Sequence, residues 1–281
     1  MRIESVFPKR ERRISVNIIV CVKPVPDPDK YNLLTIDPQT KRLVREGIPT
    51  VINPSDKNAL EEALRLKDLY GAKVSVISMT PLFSVDKIKQ CLAMGADEGF
   101  VISDRAFGGA DTFSTSYTLM KAIEEIGTPD LILAGNESAD GATSHVPVQL
   151  AEWMSLPHIT NVTVTEAFET KLHVRKKTEE GSVDYEIDLP AVIAVERNSN
   201  QPRMITAKGM VSARSKPIRV FAKDDLDVDE SLIGLCGSPT QPGELIVPNL
   251  KRASQELKGE PEEIAAQIIT LIKKSGVAVA V

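Results

Sequence analysis

The run Gly135–Pro147 (GNESADGATSHVP) holds two glycines, Gly135 and Gly141, and three hydroxyls, Ser138, Thr143 and Ser144. Glycines let a ligand approach the main chain, hydroxyls can donate to it, and a helix opening at Val146 would offer free N–H groups suited to phosphate. The same residue types, with Asp140, also make an ordinary capped turn, and composition alone does not favour the ligand reading. The spacing is neither G-x-G-x-x-G nor a Walker loop. Asn53-Pro54-Ser55-Asp56 is a second candidate, and read alone it is a helix start capped by Asn53 or Ser55. The third is Ser103–Thr112 (SDRAFGGADT). An arginine, two aspartates and Gly-Gly after a strand exceed what a turn needs, which points to a ligand loop ending on Asp111 and Thr112.

Other chemistries find little support. His145 is close to Ser144 and Asp140 in sequence, but a contiguous trio on one loop cannot build the buried, oriented geometry of a catalytic triad. No clustered carboxylates suggest glycoside or metal-assisted hydrolysis. Cys21, Cys91 and Cys236 are an odd count without pair spacing, so a disulfide framework or thiolate metal site is not expected and the compartment is read as reducing. His145, His158 and His173 lack the neighbours of a zinc site.

These loops need a frame that presents them together. Asn17–Lys23 (NIIVCVK) reads as a strand buried on both faces and stopped by Pro24. A weak hairpin signal surrounds Leu33–Ile36 and Leu43–Val44. Lys57–Leu69 has helical spacing and Val74–Met79 reads as a second buried strand. Val85–Met94 and Phe113–Ile126 follow as helices, alternating with the strands Gly99–Ser103 and Leu131–Ala134. This alternation predicts an α/β fold, a parallel sheet with helices on both faces, whose ligands sit beyond the carboxyl ends of the strands. After Pro157 three strand-like runs and the apolar strand Pro190–Val195 follow. From Arg197 the chain reads as irregular and proline-rich, closing in an amphipathic helix near Pro261–Lys274 with an apolar face of Ile264, Ile268, Ile269, Leu271 and Ile272. The expected organisation is a basic, disordered leader over 1–14, a compact domain over 15–195, and an extended partner-wrapping arm over 196–281.

Composition bounds the function. Hydrophobic residues are 42% and charged residues 26% of 281, which suits a folded chain. Aromatics at 4% and a net charge of −5 argue against a nucleic-acid partner. No apolar run reaches the ~18 residues of a membrane span, so direct insertion is not expected, and a cytoplasmic location is.

NIIVCVKPVPD, VINPSDKNALEEALRLKD, CLAMGADEG, LILAGNESADGATS and RKKTEEG…LPAVIAVERN, in this order, resemble the beta subunit of electron-transfer flavoproteins from about Asn17 to the C-terminal helix. The resemblance implies a Rossmann-like, adenine-nucleotide-binding domain paired with an FAD-carrying alpha subunit. SDRAFGGADT and LIGLCGSPTQP are similar to the anaerobic, electron-bifurcating branch. There the beta subunit helps bind a second FAD, where ordinary members hold AMP. NADH would be the donor, with one electron passing to a high-potential acceptor and one to a low-potential carrier such as ferredoxin or flavodoxin. Carried over by resemblance, Cys21 lies under the adenine, Asn53, Pro54, Ser55 and Asp56 sit beside the nucleotide, and Met79 lies against it. Gly135, Ser138, Asp140, Gly141, Thr143, Ser144, His145 and Val146 face the phosphates, and Asp111 and Thr112 approach the flavin half.

The chain also departs from the family pattern. Asn136-Glu137 replace a basic residue and Gln, Ala142 an acidic residue, His145 a Gln and Pro147 a Gly. Arg197, Asn198, Ser199 and Asn200 fall in the loop that recognises a partner dehydrogenase or quinone reductase, with Ser199 where an apolar anchor is common. Two alternatives stand beside the bifurcating one. One is a plain electron shuttle with structural AMP. The other, on a similar fold, is an ATP-binding regulatory protein of universal-stress type, disfavoured because Gly135 is not followed by that family's Gly-x-x-Gly.

Overall fold

Four of the five residues of Asn17–Cys21 are buried, and a strand apolar on both faces must be flanked by strands and covered by helices. The computed structural model describes residues 16–33, 35–36, 43–44, 48–168, 170–241, 243 and 254–275; the expected leader lies outside them. In chain order the strands begin with β1 (Asn17–Cys21), β2 (Pro24–Pro26), β3 (Thr35–Ile36), β4 (Leu43–Val44) and β5 (Thr50–Ile52). They continue as β6 (Lys73–Met79), β7 (Glu98–Ile102), β8 (Leu131–Gly135), β9 (His158–Phe168), β10 (Lys171–Lys177), β11 (Ser182–Asp188), β12 (Ala191–Val195) and β13 (Ile218–Phe221). The helices are α1 (Pro54–Tyr70), α2 (Val85–Met94), α3 (Thr112–Ile126), α4 (Val146–Trp153), α5 (Ala207–Ala213) and α6 (Pro261–Lys274).

The main sheet has nine strands in the order β11-β10-β9-β12-β8-β1-β6-β7-β13. From β9 to β13 every pairing is parallel, while β10 and β11 extend it as an antiparallel meander. Helices lie on both faces. Leu60, Ala63 and Leu64 of α1 join Ile88 and Leu92 of α2 in one core. Leu119 and Ile123 of α3 and Leu150 and Ala151 of α4 build the other against Ile77, Ile132 and Val192. The fold is the α/β parallel sheet that the alternating pattern predicts, and it is Rossmann-like as the resemblance implies. The short β3–β4 pairing forms where the hairpin signal lay.

The segment after Arg197 differs from its irregular reading, because it contains α5 and the edge strand β13. Neither leaves a periodic apolar trace. Helix α5 buries no residue, and of Ile218–Phe221 only Phe221 is buried. Contacts divide the chain after Gly243. The later unit carries α6, which spans the expected residues, starts on Pro261 and ends on Lys273 and Lys274, in keeping with the helix dipole. Its Ile268, Ile269, Leu271 and Ile272 are exposed. No helix among the described residues is long and apolar enough to cross a membrane.

Candidate functional site

Parallel pairing brings the carboxyl ends of β1, β6, β7 and β8 to one edge, with Cys21 opposite Ile77 on one side and Ala134 on the other. The loops leaving those ends enclose a cleft of about 970 Å³, near the upper end of the roughly 300–1,000 Å³ usual for small-molecule sites. Twelve of the sixteen residues singled out for cofactor binding line it: Cys21, Asp56, Met79, Asp111, Thr112, Gly135, Ser138, Gly141, Thr143, Ser144, His145 and Val146. Asn53, Pro54, Ser55 and Asp140 are not among its lining residues.

The position of Asn53 follows from its hydrogen bonds. It stands at the N-cap position of α1 but makes no side-chain cap. Its amide instead donates to the Glu137 carbonyl at 2.8 Å and accepts from the Ala139 N–H at 3.0 Å. Asn53 is 1% exposed, so a buried amide fastens the 135–147 loop to the start of α1. Asp56, one turn on, accepts from the Asn53 amide, the Lys23 N–H and the Gly135 N–H. Burial pushes its carboxyl up to about 7, against the pull of these donors. Burial, and then the charge of Asp56, push the Cys21 thiol up to about 12, so Cys21 is an apolar wall residue and not a thiolate.

Gly135 is required by close packing. A Cβ there would lie 2.4 Å from Asp56 Oδ1 and 2.7 Å from the Asp56 nitrogen. Beyond it Ala142 and Ser144 both hold left-handed backbone, with φ of 46° and 57°, a costly conformation for non-glycine residues that clusters at ligand-binding loops. The loop ends at α4, whose first residues Val146 and Pro147 line the cleft.

On the opposite bank Asp111 caps α3. Its Oδ1 accepts from the N–H groups of Phe113 and Ser114, and its Oδ2 from the Thr240 N–H at 2.9 Å. The Asp111 N–H donates to the Ser238 hydroxyl at 2.8 Å, and the Leu235 N–H donates to the Gly108 carbonyl at 3.0 Å. Gly234 has φ of 58°, and a Cβ there would lie 2.0 Å from the Ala106 carbonyl oxygen. The 103–112 loop is therefore sewn to the 234–240 segment. The cleft wall also includes Arg105 of the 103–112 run and residues outside the three candidate runs, among them Lys23, Thr115 and the exposed Leu82 and Phe83. Proximity to a strand end was the signal that could have found Lys23.

Arg197–Asn200 leaves β12 and is held by α1. The Asn58 amide donates to the Asn200 carbonyl and side-chain oxygens, the Asn58 side-chain oxygen accepts from the Asn198 N–H, and Asn200 returns a bond to the Asn58 carbonyl. Arg203 pairs with Glu61 and Asp68. Met204, Met210 and Val211 follow as exposed apolar residues.

The electron transfer flavoprotein domain matches residues 40–226. An electron transfer flavoprotein subunit beta of Thermoanaerobacterium thermosaccharolyticum is 40% identical over 255 residues, 90% of this chain and 96% of the relative. The chain belongs to the electron transfer flavoprotein family. The caffeyl-CoA reductase-Etf complex subunit CarD of Acetobacterium woodii is 37% identical over 261 residues, 92% of this chain and 98% of that one. Protein FixA of Azotobacter vinelandii is 32% identical over 246 residues, 85% and 86% of the two chains. The resemblance to the family's beta subunits read from the ordered motifs is thereby borne out, and the cleft lies largely within the matched domain.

Proposed function

We propose that this chain is the beta subunit of a cytoplasmic, heterodimeric electron-transfer flavoprotein that holds FAD in the cleft and takes electrons from NADH. One electron would go by way of the FAD-carrying alpha subunit to a high-potential acceptor on a dehydrogenase or quinone reductase, the other to ferredoxin or flavodoxin. The observation that carries the reading is the continuity of the cleft from the 135–147 loop to the 103–112 loop. An adenosine monophosphate needs only the first; a ligand with a flavin half needs both.

The donor set fits such a ligand. The 135–147 loop offers hydroxyls and a glycine-lined approach, and the other bank offers the Thr112 and Thr115 hydroxyls beside apolar Ile77, Met79 and Leu119. FAD, when bound, supplies the redox chemistry. The residues of this chain orient it and exclude water: Asn53 and Asp56 fix one bank, and Asp111 fixes the other. The compact part over 15–195 would be the cofactor domain, and the arm over 196–281 would hold partners through the exposed residues after Arg203 and the apolar face of α6. The test is flavin content of the chain co-purified with its alpha subunit. Two flavins per heterodimer and bleaching of the visible band by NADH are expected. One flavin with one AMP would instead identify the non-bifurcating shuttle.

A further inference from the structure

The 135–147 loop contains no lysine or arginine, yet a bound phosphate brings charge that a desolvated site must balance. Among the described residues lining the cleft, the lysine and arginine side chains are Lys23 and Arg105. The acids that line it are largely committed to the protein's own N–H groups. Asp56 accepts three donors, Asp104 accepts from the Ala106 and Lys223 N–H groups, and Asp111 caps α3. Arg105 stands on the 103–112 bank. Lys23, at the end of β1, reaches the other: its Nζ lies 2.7 Å from Asp140 Oδ1 and 3.5 Å from Ser138 Oγ. Its main-chain N–H is fixed on Asp56 at 2.7 Å. The base of the side chain is therefore anchored while its end is half exposed, at 49%, with the Asp140 side chain at 16%.

An ammonium on a flexible stem can trade one oxygen anion for another without moving the backbone. We propose that Lys23 is the cation of the nucleotide site: its ammonium leaves Asp140 for the phosphate of the ligand, so that the cleft selects adenine nucleotides over the unphosphorylated nucleoside. The proposal rests on the reading of the cleft as a nucleotide-cofactor site and names the residue that makes it respond to charge. Asp140 is then the resting partner of the ammonium and competes with the phosphate for it. Because the contact is between charges at a partly wet surface, its strength falls as salt screens it.

The test is calorimetric titration of the full chain, co-purified with its alpha subunit and stripped of bound nucleotide, with AMP and with adenosine. K23Q is expected to lose at least tenfold in affinity for AMP and to change less than twofold for adenosine. K23R should keep most of the AMP affinity, and D140N should bind AMP several-fold more tightly, because the competing carboxylate is gone. The loss of AMP affinity between low and high salt should shrink in K23Q. An unchanged ratio of AMP to adenosine affinity in K23Q would overturn the proposal. So would weaker AMP binding in D140N, or the tenfold loss appearing in R105Q and not in K23Q. A wild-type complex that binds neither ligand would instead reject the nucleotide reading of the cleft, and this inference with it.

Discussion

The side chain of Asn53 accepts a 3.0 Å hydrogen bond from the N–H of Ala139, 86 residues further along the chain, and the same amide donates to Glu137. One buried side chain thus joins two loops that had looked like separate candidates. Asn53→Ala should unfasten the 135–147 loop, leaving the part-buried Ala139 N–H and Glu137 C=O without this partner at a cost of roughly 1–3 kcal/mol each at most. Thermal melting should show the lost stability, and nucleotide titration should show weaker binding on the same variant. A lower melting temperature with unchanged nucleotide affinity would separate the clamp from the site.

The Asp56 carboxyl gives the fold a pH dependence. Its folded pKa is raised, to about 7, so the protonated form is the one the folded state favours. The stabilisation is fully present below the ordinary aspartate value and is lost as pH rises through about 7, with a slope of at most ~1.4 kcal/mol per pH unit. Urea melts of the wild type between pH 5 and pH 8 should show this decline, and Asp56→Asn should remove it. Equal slopes in the two proteins would assign the dependence elsewhere.

The strands and most helices were legible because their burial is periodic or continuous. Leu60, Ala63 and Leu64 recur at helical spacing, and Ile18, Ile19 and Val20 form an unbroken apolar run. The loops of the cleft were legible in outline only. Composition marked 135–147 and 103–112, but a cap and a clamp use the same residue types, and only the three-dimensional partners show that Asn53 clamps while Asp111 caps. The pairing of 103–112 with 234–240 had no local signal, because its partners, Asp111 with Ser238 and Thr240 and Gly108 with Leu235, lie on segments far apart in the chain. Helix α5 and strand β13 escaped because they bury almost nothing.

Asp111→Ala should remove the cap of α3 and the hold on Thr240 together. Loss of an N-cap costs about 0.5–2 kcal/mol. Hydrogen exchange should quicken at the amides of Phe113, Ser114 and Thr240, whereas the amides of Ala139 and Gly135 on the other bank should be unaffected. Faster exchange confined to α3 would show that Thr240 is held by other contacts.

Gly135→Ala and Gly141→Ala should differ sharply. At Gly135 the new methyl meets the carboxylate and main chain of Asp56, which its own hydrogen bonds hold in place. The resulting strain is on the order of 1–3 kcal/mol. At Gly141 the nearest atom is the Ser138 hydroxyl at 3.3 Å, a side chain that can turn away. Parallel melts of the two variants check this; comparable losses would mean that the end of β8 is less tightly packed than its geometry indicates.

The stitching of the 103–112 loop to the 234–240 segment sets an order of events in the cell. Chains are made from the N-terminus, and the earlier parts can fold first, so Asp111 emerges 129 residues ahead of the Thr240 N–H that it comes to hold. The strands that floor the cleft are already translated while one of its walls still lacks its fastening. The cleft is therefore completed late in synthesis, and a nascent chain stalled before residue 234 would carry the sheet with one wall of the cleft unfastened.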